Sequence, residues 1–398
     1  MAGQSEILKI KLNLQIISEN LMVNKKIIGV SLIIAALLIV YFTYLYTTSK
    51  TENVAKERKF DINSDLAFGV TTSSYQIDGY NPVTAESQID LLKDLGVNVV
   101  RINLERSVTS VSPFNQKYDE KTNDDFINKL YEADLEVLLA IDGEIIATAD
   151  KPSVDKESEG YKIGKYAASR YKGKVKFYQI SNEITGTIIK PPDPDFKGPV
   201  FDGENGIKYS TERYESALKW LRGMQRGIRE SDPKAKIVLS GHWVLTDIIK
   251  KLESDGVDFD ILGWAWYDTD GLDMTKRQAG DSGTIDMVQE LMSFNKPVWL
   301  IEVNTDKGSW SEQGLSLGET KQANFIREFS DKVFLEEKIK GVFIYRFLDI
   351  PSVYSPQTRE EDSHWGIVEP SLDNGIISYR KKEAFETFKQ VIATYLNR

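Results

Sequence analysis

Residues 174–186 read KVKFYQISNEITG. The first eight, from Lys174 to Ser181, form a short run of strand character, yet it ends in Asn182-Glu183, a pair poor in β-propensity and costly to bury. A strand that ends this way is either fraying into a loop or presenting an amide and a carboxylate to something. Seven other runs of the same kind occur along the chain: 66–71 (LAFGVT), 97–103 (VNVVRIN), 136–142 (EVLLAID), 235–240 (AKIVLS), 258–265 (DFDILGWA), 297–303 (PVWLIEV) and 340–347 (KGVFIYRF). Many are apolar throughout, the pattern of strands covered on both faces.

Between these runs lie stretches with apolar residues at i, i+3 and i+4, the mark of amphipathic helices. They fall at 84–95, 121–133, 160–172, 207–230, 283–294, 318–337 and 381–396, with a shorter piece at 244–254. Thr84 is followed three residues on by Ser87 rather than Glu, so the first of them carries only a partial capping box. Eight βα units in a row, with no break in composition from 61 to 398, predict a single α/β domain, a (β/α)8 TIM barrel. A doubly wound open sheet would place a glycine-rich phosphate turn after its first strand, and FGVTTSSYQIDG at 68–79 is not one.

Of the 398 residues, 41% are hydrophobic and 28% charged, enough to build a sizeable core. The net charge of −10 argues against nucleic acid as a partner. With no cysteine, disulfides, thiolate metal sites and cysteine nucleophiles are excluded. The only histidines, His242 and His364, lie far apart in sequence, which disfavours histidine-based metal centres and triads. Acid–base chemistry on this chain falls to carboxylates, with no metal and no cofactor expected.

Residues 27–46, IIGVSLIIAALLIVYFTYLY, are uncharged over about the length that crosses a bilayer as a helix. Lys25 and Lys26 precede the run, and Tyr41, Tyr44 and Tyr46 cluster at its far end like an interfacial belt. The expected layout is a short cytoplasmic segment at 1–26, a transmembrane signal anchor at 27–47, a juxtamembrane linker at 48–60 and the barrel at 61–398. The lysine pair sets the orientation, catalytic body outside: a single-pass protein of the cell membrane. A cleaved signal peptide is the alternative, but no A-x-A-like site follows the run. Met22 offers a second start, with MVNKK as its n-region.

In barrels of this kind the chemistry sits at the C-terminal ends of the strands. Strand two ends at Arg101-Ile102-Asn103, strand three at Asp142, strand four at Asn182-Glu183 and strand five near His242-Trp243. Strand six ends at Trp264-Ala265-Trp266-Tyr267, strand seven carries Glu302, and strand eight ends at Tyr345-Arg346 with Asp349 close by. Glu183 and Glu302, three strands apart, are expected to face each other across the mouth. That layout suits retaining glycoside hydrolysis, in which one carboxylic acid protonates the leaving oxygen and a second carboxylate, about 5–5.5 Å away, attacks the anomeric carbon. Arg101 and Tyr267 are placed to keep the nucleophile ionised, and Trp243, Trp264 and Trp266 offer flat faces for a sugar ring. Glu144 is the rival carboxylate and has no equally placed partner; Asp142 and Asp349 suit structural or sugar-binding roles.

At this point the chain resembles the clan of barrel glycosidases in which strand four ends in Asn-Glu and strand seven supplies the nucleophile. The match covers about residues 65–395. The resemblance implies that Asn182 contacts the sugar 2-hydroxyl, Glu183 is the general acid/base and Glu302, in VWLIEVNTD, the nucleophile. It makes Arg101 the supporting cation and Tyr267 the hydroxyl donor. The first strand, Phe68 to Gly79, looks most like family 1 β-glycosidases, where the residue matching Gln76 grips the terminal sugar. GVFIYRFLD, HWGIVEP and Lys382 resemble that family's closing segments, with Tyr345 where it places a tryptophan. The chain departs from family 1 in Ile-Ser-Asn-Glu-Ile around the acid/base, in Ile-Glu-Val-Asn-Thr around the nucleophile, and in Asp142-Gly143-Glu144 where a histidine is expected.

The expected function is therefore a membrane-anchored retaining glycosidase acting on a β-linked glycoside or surface polysaccharide, the β-linkage coming from the resemblance alone. A non-catalytic carbohydrate-binding barrel and a transglycosylase remodelling surface glycans are the alternatives.

Overall fold

Each of the eight apolar runs is a strand of one closed barrel. We label them β1 (Ala67–Thr72), β2 (Val99–Leu104), β3 (Glu136–Ile141), β4 (Phe177–Gln179), β5 (Lys236–His242), β6 (Ile261–Tyr267), β7 (Val298–Asn304) and β8 (Ile339–Ile344). Neighbours pair in parallel in sequence order, and β8 closes onto β1 through Ala67↔Gly341 to Val70↔Ile344. The computed structural model describes residues 60–62, 65–72, 85–104, 120–141, 155–191, 193, 195–279, 283–334, 339–350, 360–373 and 376–396. The expected membrane anchor and all of the linker except Phe60, and with them Gln76, Asp142 and Glu144, lie outside these. Among the described residues no helix is long and apolar enough to cross a membrane.

A helix follows each strand: α1 (Ala85–Leu95), α2 (Glu120–Glu132), α3 (Lys156–Arg170), α4 (Thr211–Ser231), α5 (Thr246–Ser254), α6 (Met287–Met292), α7 (Leu315–Val333) and α8 (Glu383–Leu396). Several begin at side-chain caps that satisfy otherwise orphaned first-turn amides. Asp155 accepts from the Ser158 N–H, Ser210 from that of Arg213 and Asp286 from that of Gln289. The capping Ser210 starts α4 later than the periodicity from 207 suggests, and Lys208–Ser210 instead pairs antiparallel with Val200–Asp202. Further short hairpins join Arg277–Gln278 to Thr284–Ile285 and Val368–Asp373 to Ile376–Lys381.

The apolar residues divide into two cores. One lies between strands and helices. The other fills the lower barrel and consists of Ala67, Val99, Leu138, Phe177, Val238, Ile261, Trp299, Ile301 and Phe343, with Ile62 and Phe60 against it. Phe60 meets Phe177 and Trp299 edge-on, and its carbonyl accepts from Lys176 Nζ at 2.6 Å. Membership of the inner core fixes the inward parity of each strand, because strand side chains alternate faces. Counting up by twos from Val99, Phe177, Val238 and Ile261 reaches Arg101, Gln179, Ser240 with His242, and Tyr267. The polar residues of the barrel mouth thus continue the inner core toward the C-terminal ends.

Candidate active site

Arg101 is buried, and the site is organised around it. Its Nε donates to Gln179 Oε1 (2.7 Å), Nη1 to Thr71 Oγ1 (3.1 Å) and Nη2 to Asn182 Oδ1 (2.8 Å). Nη1 also pairs with Glu302 Oε1 at 2.9 Å. The second oxygen of Glu302 accepts from the Tyr267 hydroxyl at 2.9 Å. Burial and the charge of Glu302 raise the Tyr267 phenol well above its ordinary range, so it stays a donor.

Glu302 owes its position to an irregularity. Trp299 and Ile301 belong to the inner core, so strict alternation would turn Glu302 outward. The β6–β7 register slips between Leu300↔Trp264 and Glu302↔Ala265, and the β7–β8 register slips there too. A bulge of this kind re-aims a side chain, and here it puts the carboxylate on Arg101 and Tyr267.

Glu183 stands just past β4 with φ 45° and ψ 34°, the left-handed region that costs a non-glycine residue about 1–3 kcal/mol. It caps a short helix, Ile184–Ile188, and its N–H donates to Ser240 Oγ at 3.2 Å. Ser240 Oγ in turn donates to the Ser181 carbonyl at 2.8 Å, so the turn is tied to β5 from both sides. Burial pushes the Glu183 carboxyl up to about 7; the negative charge of Glu302 adds to this, Arg101 opposes it, and Asp270 adds a little more. Asp270, itself raised by burial, accepts from the Tyr267 N–H (3.1 Å) and pairs with Arg277 (2.7 Å). The charges of the two carboxyls sense each other; Glu183 is raised toward neutral pH, while Glu302 is bonded to a guanidinium and a phenol.

Of the residues expected at this site, the structure joins Arg101, Asn182, Tyr267 and Glu302 directly and sets Glu183 in their field. His242 lies beside the short helix that follows Glu183, its Nδ1 3.1 Å from Thr185 Oγ1, and burial lowers it to about 4, leaving the ring neutral near pH 7. Trp243 is 37% exposed at the end of β5, with φ 57°. Tyr345 packs edge-on against Trp365, which also meets Tyr267 edge-on (centroids 5.1 and 5.5 Å).

Trp264 and Trp266 are corrected: both are fully buried and offer no face to a sugar. They lie on the parity opposite to Tyr267, toward the helices. Trp264 covers Gly241 and donates to the Trp243 carbonyl (3.2 Å); Trp266 stacks on Phe329 and donates to the Gly271 carbonyl (2.7 Å). Period-two counting from Tyr267 carried that signal.

Gln179, Thr71 and Ser240 join the site without being expected there, as does Trp365, which the HWGIVEP segment contains. Gln179 is two residues along from Phe177, so alternation marks it as inward. Trp365 had no such signal: it comes from the loop after β8 and is held there by contacts distant in sequence. Its carbonyl accepts from Asn304 Nδ2 (2.8 Å) and Gln322 Nε2 (3.3 Å). The segment around it is clamped by a buried ion pair. Lys382 Nζ lies 2.6 Å from Asp349 Oδ2 and donates to Ser309 Oγ (2.8 Å) and the Gly366 carbonyl (3.0 Å), while Asp349 Oδ1 accepts from the Gly366 N–H (2.7 Å). Asp349 is therefore structural.

Comparison with solved structures places the chain among (β/α)8 barrels, and at the identities observed the likeness is one of fold. A family 1 β-glucosidase from Thermotoga maritima aligns over 84% of this chain and 98% of its own, at 13% identity and a TM-score of 0.56. The β-glucosidase of that organism in complex with deoxynojirimycin aligns over 84% and 99% (13%, 0.55), and native xylanase 10B from the same organism over 84% and 96% (14%, 0.55). No known family profile matches the chain, and no curated protein does.

Proposed function

We propose that this protein is a retaining glycoside hydrolase, with Glu302 as nucleophile and Glu183 as general acid/base. The observation that carries the reading is the unequal treatment of the two glutamates. Glu302 has one oxygen on Arg101 and the other on Tyr267, whereas Glu183 is raised to about 7 by burial and by the charge of Glu302. The fold likeness to β-glucosidases and a xylanase is consistent with it, and the β-linkage rests on that likeness.

In the first step Glu183 gives its proton to the glycosidic oxygen as that bond to the anomeric carbon breaks, and Glu302 forms a covalent glycosyl ester. With the leaving group gone, Glu183, now a carboxylate, takes a proton from water, which attacks the anomeric carbon and releases Glu302. The same charge that raised Glu183 falls when Glu302 becomes an ester, so the residue turns from acid to base as the cycle needs. Asn182 contacts the sugar 2-hydroxyl, and Trp243, His242 and Tyr345 border the glycan; Gln76 is assigned to the terminal sugar by the resemblance. Release by water rather than by a second sugar is part of the proposal.

The membrane anchor at 27–47, with the barrel outside the cell, belongs to the same proposal and rests on the uncharged run after Lys25-Lys26. The test of chemistry is turnover of aryl glycosides by the full chain in detergent. Glu302→Gly, rescued by azide to give a glycosyl azide of inverted configuration, identifies the nucleophile; wild-type turnover untouched by Glu183→Gln or Glu302→Gln rejects the site. For the topology, protease added to whole cells digests the body if it lies outside, and protection rejects that placement.

A further inference from the structure

We propose that Gln179 is a positioning residue that fixes which way the Asn182 amide faces. The inference rests on the glycosidase reading and deepens it.

Gln179 is fully buried on the inner face of β4, in a layer where barrels normally place branched apolar side chains. A buried amide there is tolerable only if its hydrogen bonds are met, and its partners are all site residues or their supports. The Arg101 Nε–H is a donor only, so the Gln179 atom 2.7 Å from it must be the carbonyl oxygen. That forces Nε2 to the other side, where it lies 3.1 Å from Asn182 Oδ1, 3.1 Å from Ser240 Oγ and 2.9 Å from the Ser181 carbonyl. The Asn182 atom facing Gln179 also faces Arg101 Nη2 at 2.8 Å, a second pure donor. Two N–H groups converge on it, so it must be the oxygen. A flipped Asn182 would set its own N–H groups against a guanidinium and an amide.

The donor–acceptor chain from Arg101 through Gln179 therefore leaves Asn182 Nδ2 on the remaining side of the amide, where it makes no hydrogen bond among the described residues. Asn182 is half-buried, at the end of β4, so the free N–H groups are available to a ligand hydroxyl. Gln179 does not touch the sugar. It holds Arg101 in plane through Nε and supplies one of the two donors that orient Asn182, so its contribution reaches the substrate through the 2-hydroxyl.

The test uses the full chain in detergent, with an aryl β-glycoside and its 2-deoxy counterpart as paired substrates. Gln179→Met, close in shape and without the amide, is expected to lower kcat/KM about tenfold on the 2-hydroxy substrate and less than about threefold on the 2-deoxy one. In an Asn182→Ala background the same change is expected to add less than about threefold, the loss left by removing the acceptor of Arg101 Nε, since the amide that Gln179 orients is gone. The alkaline limb set by Glu183 should not move. Gln179→Glu keeps the acceptor for Arg101 and removes the donation to Asn182; it is expected to show the same selective loss, and it decides the matter if the Met variant fails to fold. Equal losses on both substrates, or full additivity with Asn182→Ala, would overturn the inference while leaving the glycosidase reading intact. A wild-type chain that neither turns over the panel nor binds deoxynojirimycin by calorimetry overturns the glycosidase reading, and this inference with it.

Discussion

Arg101 Nη1 and Glu302 Oε1 lie 2.9 Å apart in the barrel mouth, one reaching in from β2 and the other from the bulge in β7. The arginine also holds Gln179, Thr71 and Asn182, so a single guanidinium joins Glu302 to the strand that leads into Asn182 and Glu183. Arg101→Met should remove activity and destabilise the fold, by about 3–5 kcal/mol, because it leaves a buried carboxylate without its cation. Double substitution with Glu302→Leu should recover part of that loss in a urea titration. No recovery would mean that Arg101 is needed for packing alone.

Glu183 sets the pH behaviour. Because its folded-state value is raised to about 7, the protonated acid is depleted as pH rises through 7, and kcat/KM should fall there. Glu183→Gln should abolish that limb. The stability effect has the same direction. A carboxyl raised on folding favours the native state below its unfolded value near 4.5, and that advantage is lost as pH climbs to about 7. Glu183→Gln should therefore stabilise the chain relative to wild type at pH 8, by on the order of 3 kcal/mol, and by little at pH 4. Melting curves at the two pH values check the sign.

Tyr267→Phe removes the hydroxyl that donates to Glu302 Oε2 and leaves the ring against Trp365. A hydrogen bond to a charged group contributes about 1.5–3 kcal/mol, so the variant should lose stability of that order, and kcat/KM should fall roughly ten- to a hundredfold where the phenol also holds Glu302 for attack. A loss of stability with kcat/KM unchanged would assign Tyr267 to structure.

The Lys382–Asp349 pair is buried on both sides and ties three loops together behind Trp365. Lys382→Met should cost about 3–5 kcal/mol by stranding Asp349. Asp349 is already pushed up to about 6 by burial, against the pull of Lys382, so the stranded acid will protonate and the penalty should shrink below pH 6. Urea midpoints at pH 5 and pH 8 should separate accordingly, with the larger loss at pH 8.

Helices α3 and α4 touch backbone to backbone through Gly160, Gly164, Gly223 and Gly227. A Cβ on Gly164 would lie 2.3 Å from the Met224 carbonyl oxygen, and one on Gly227 2.3 Å from that of Tyr161. Neither contact can yield without moving a helix, so Gly164→Val should destabilise by several kcal/mol, at the upper end of about 1–3 kcal/mol for overpacking or beyond. A melting temperature within a degree of wild type would show that the helices can part freely.

The order of elements was legible because periodicity is local: runs such as 97–103 and 297–303 declare strands, and the eight-fold alternation with helices leaves a closed parallel barrel as the economical way to cover them. The candidate pair Glu183 and Glu302 was legible for the same reason, since both sit at the ends of such runs. Residue types alone also confined acid–base chemistry to carboxylates. What the chain could not declare is which face a side chain takes where the ladder is irregular. The slip in β7 turns Glu302 inward against the parity of Trp299 and Ile301. In β6, by contrast, parity is unbroken, and alternation from Tyr267 already turns Trp264 and Trp266 outward, where both are buried. Partners distant in sequence, such as Gln179 with Arg101 and Trp365 with Tyr267 and Tyr345, exist only once the barrel closes. Hydrophobic period is a property of a few consecutive residues, whereas register, burial and hydrogen-bond partners depend on the neighbouring strands.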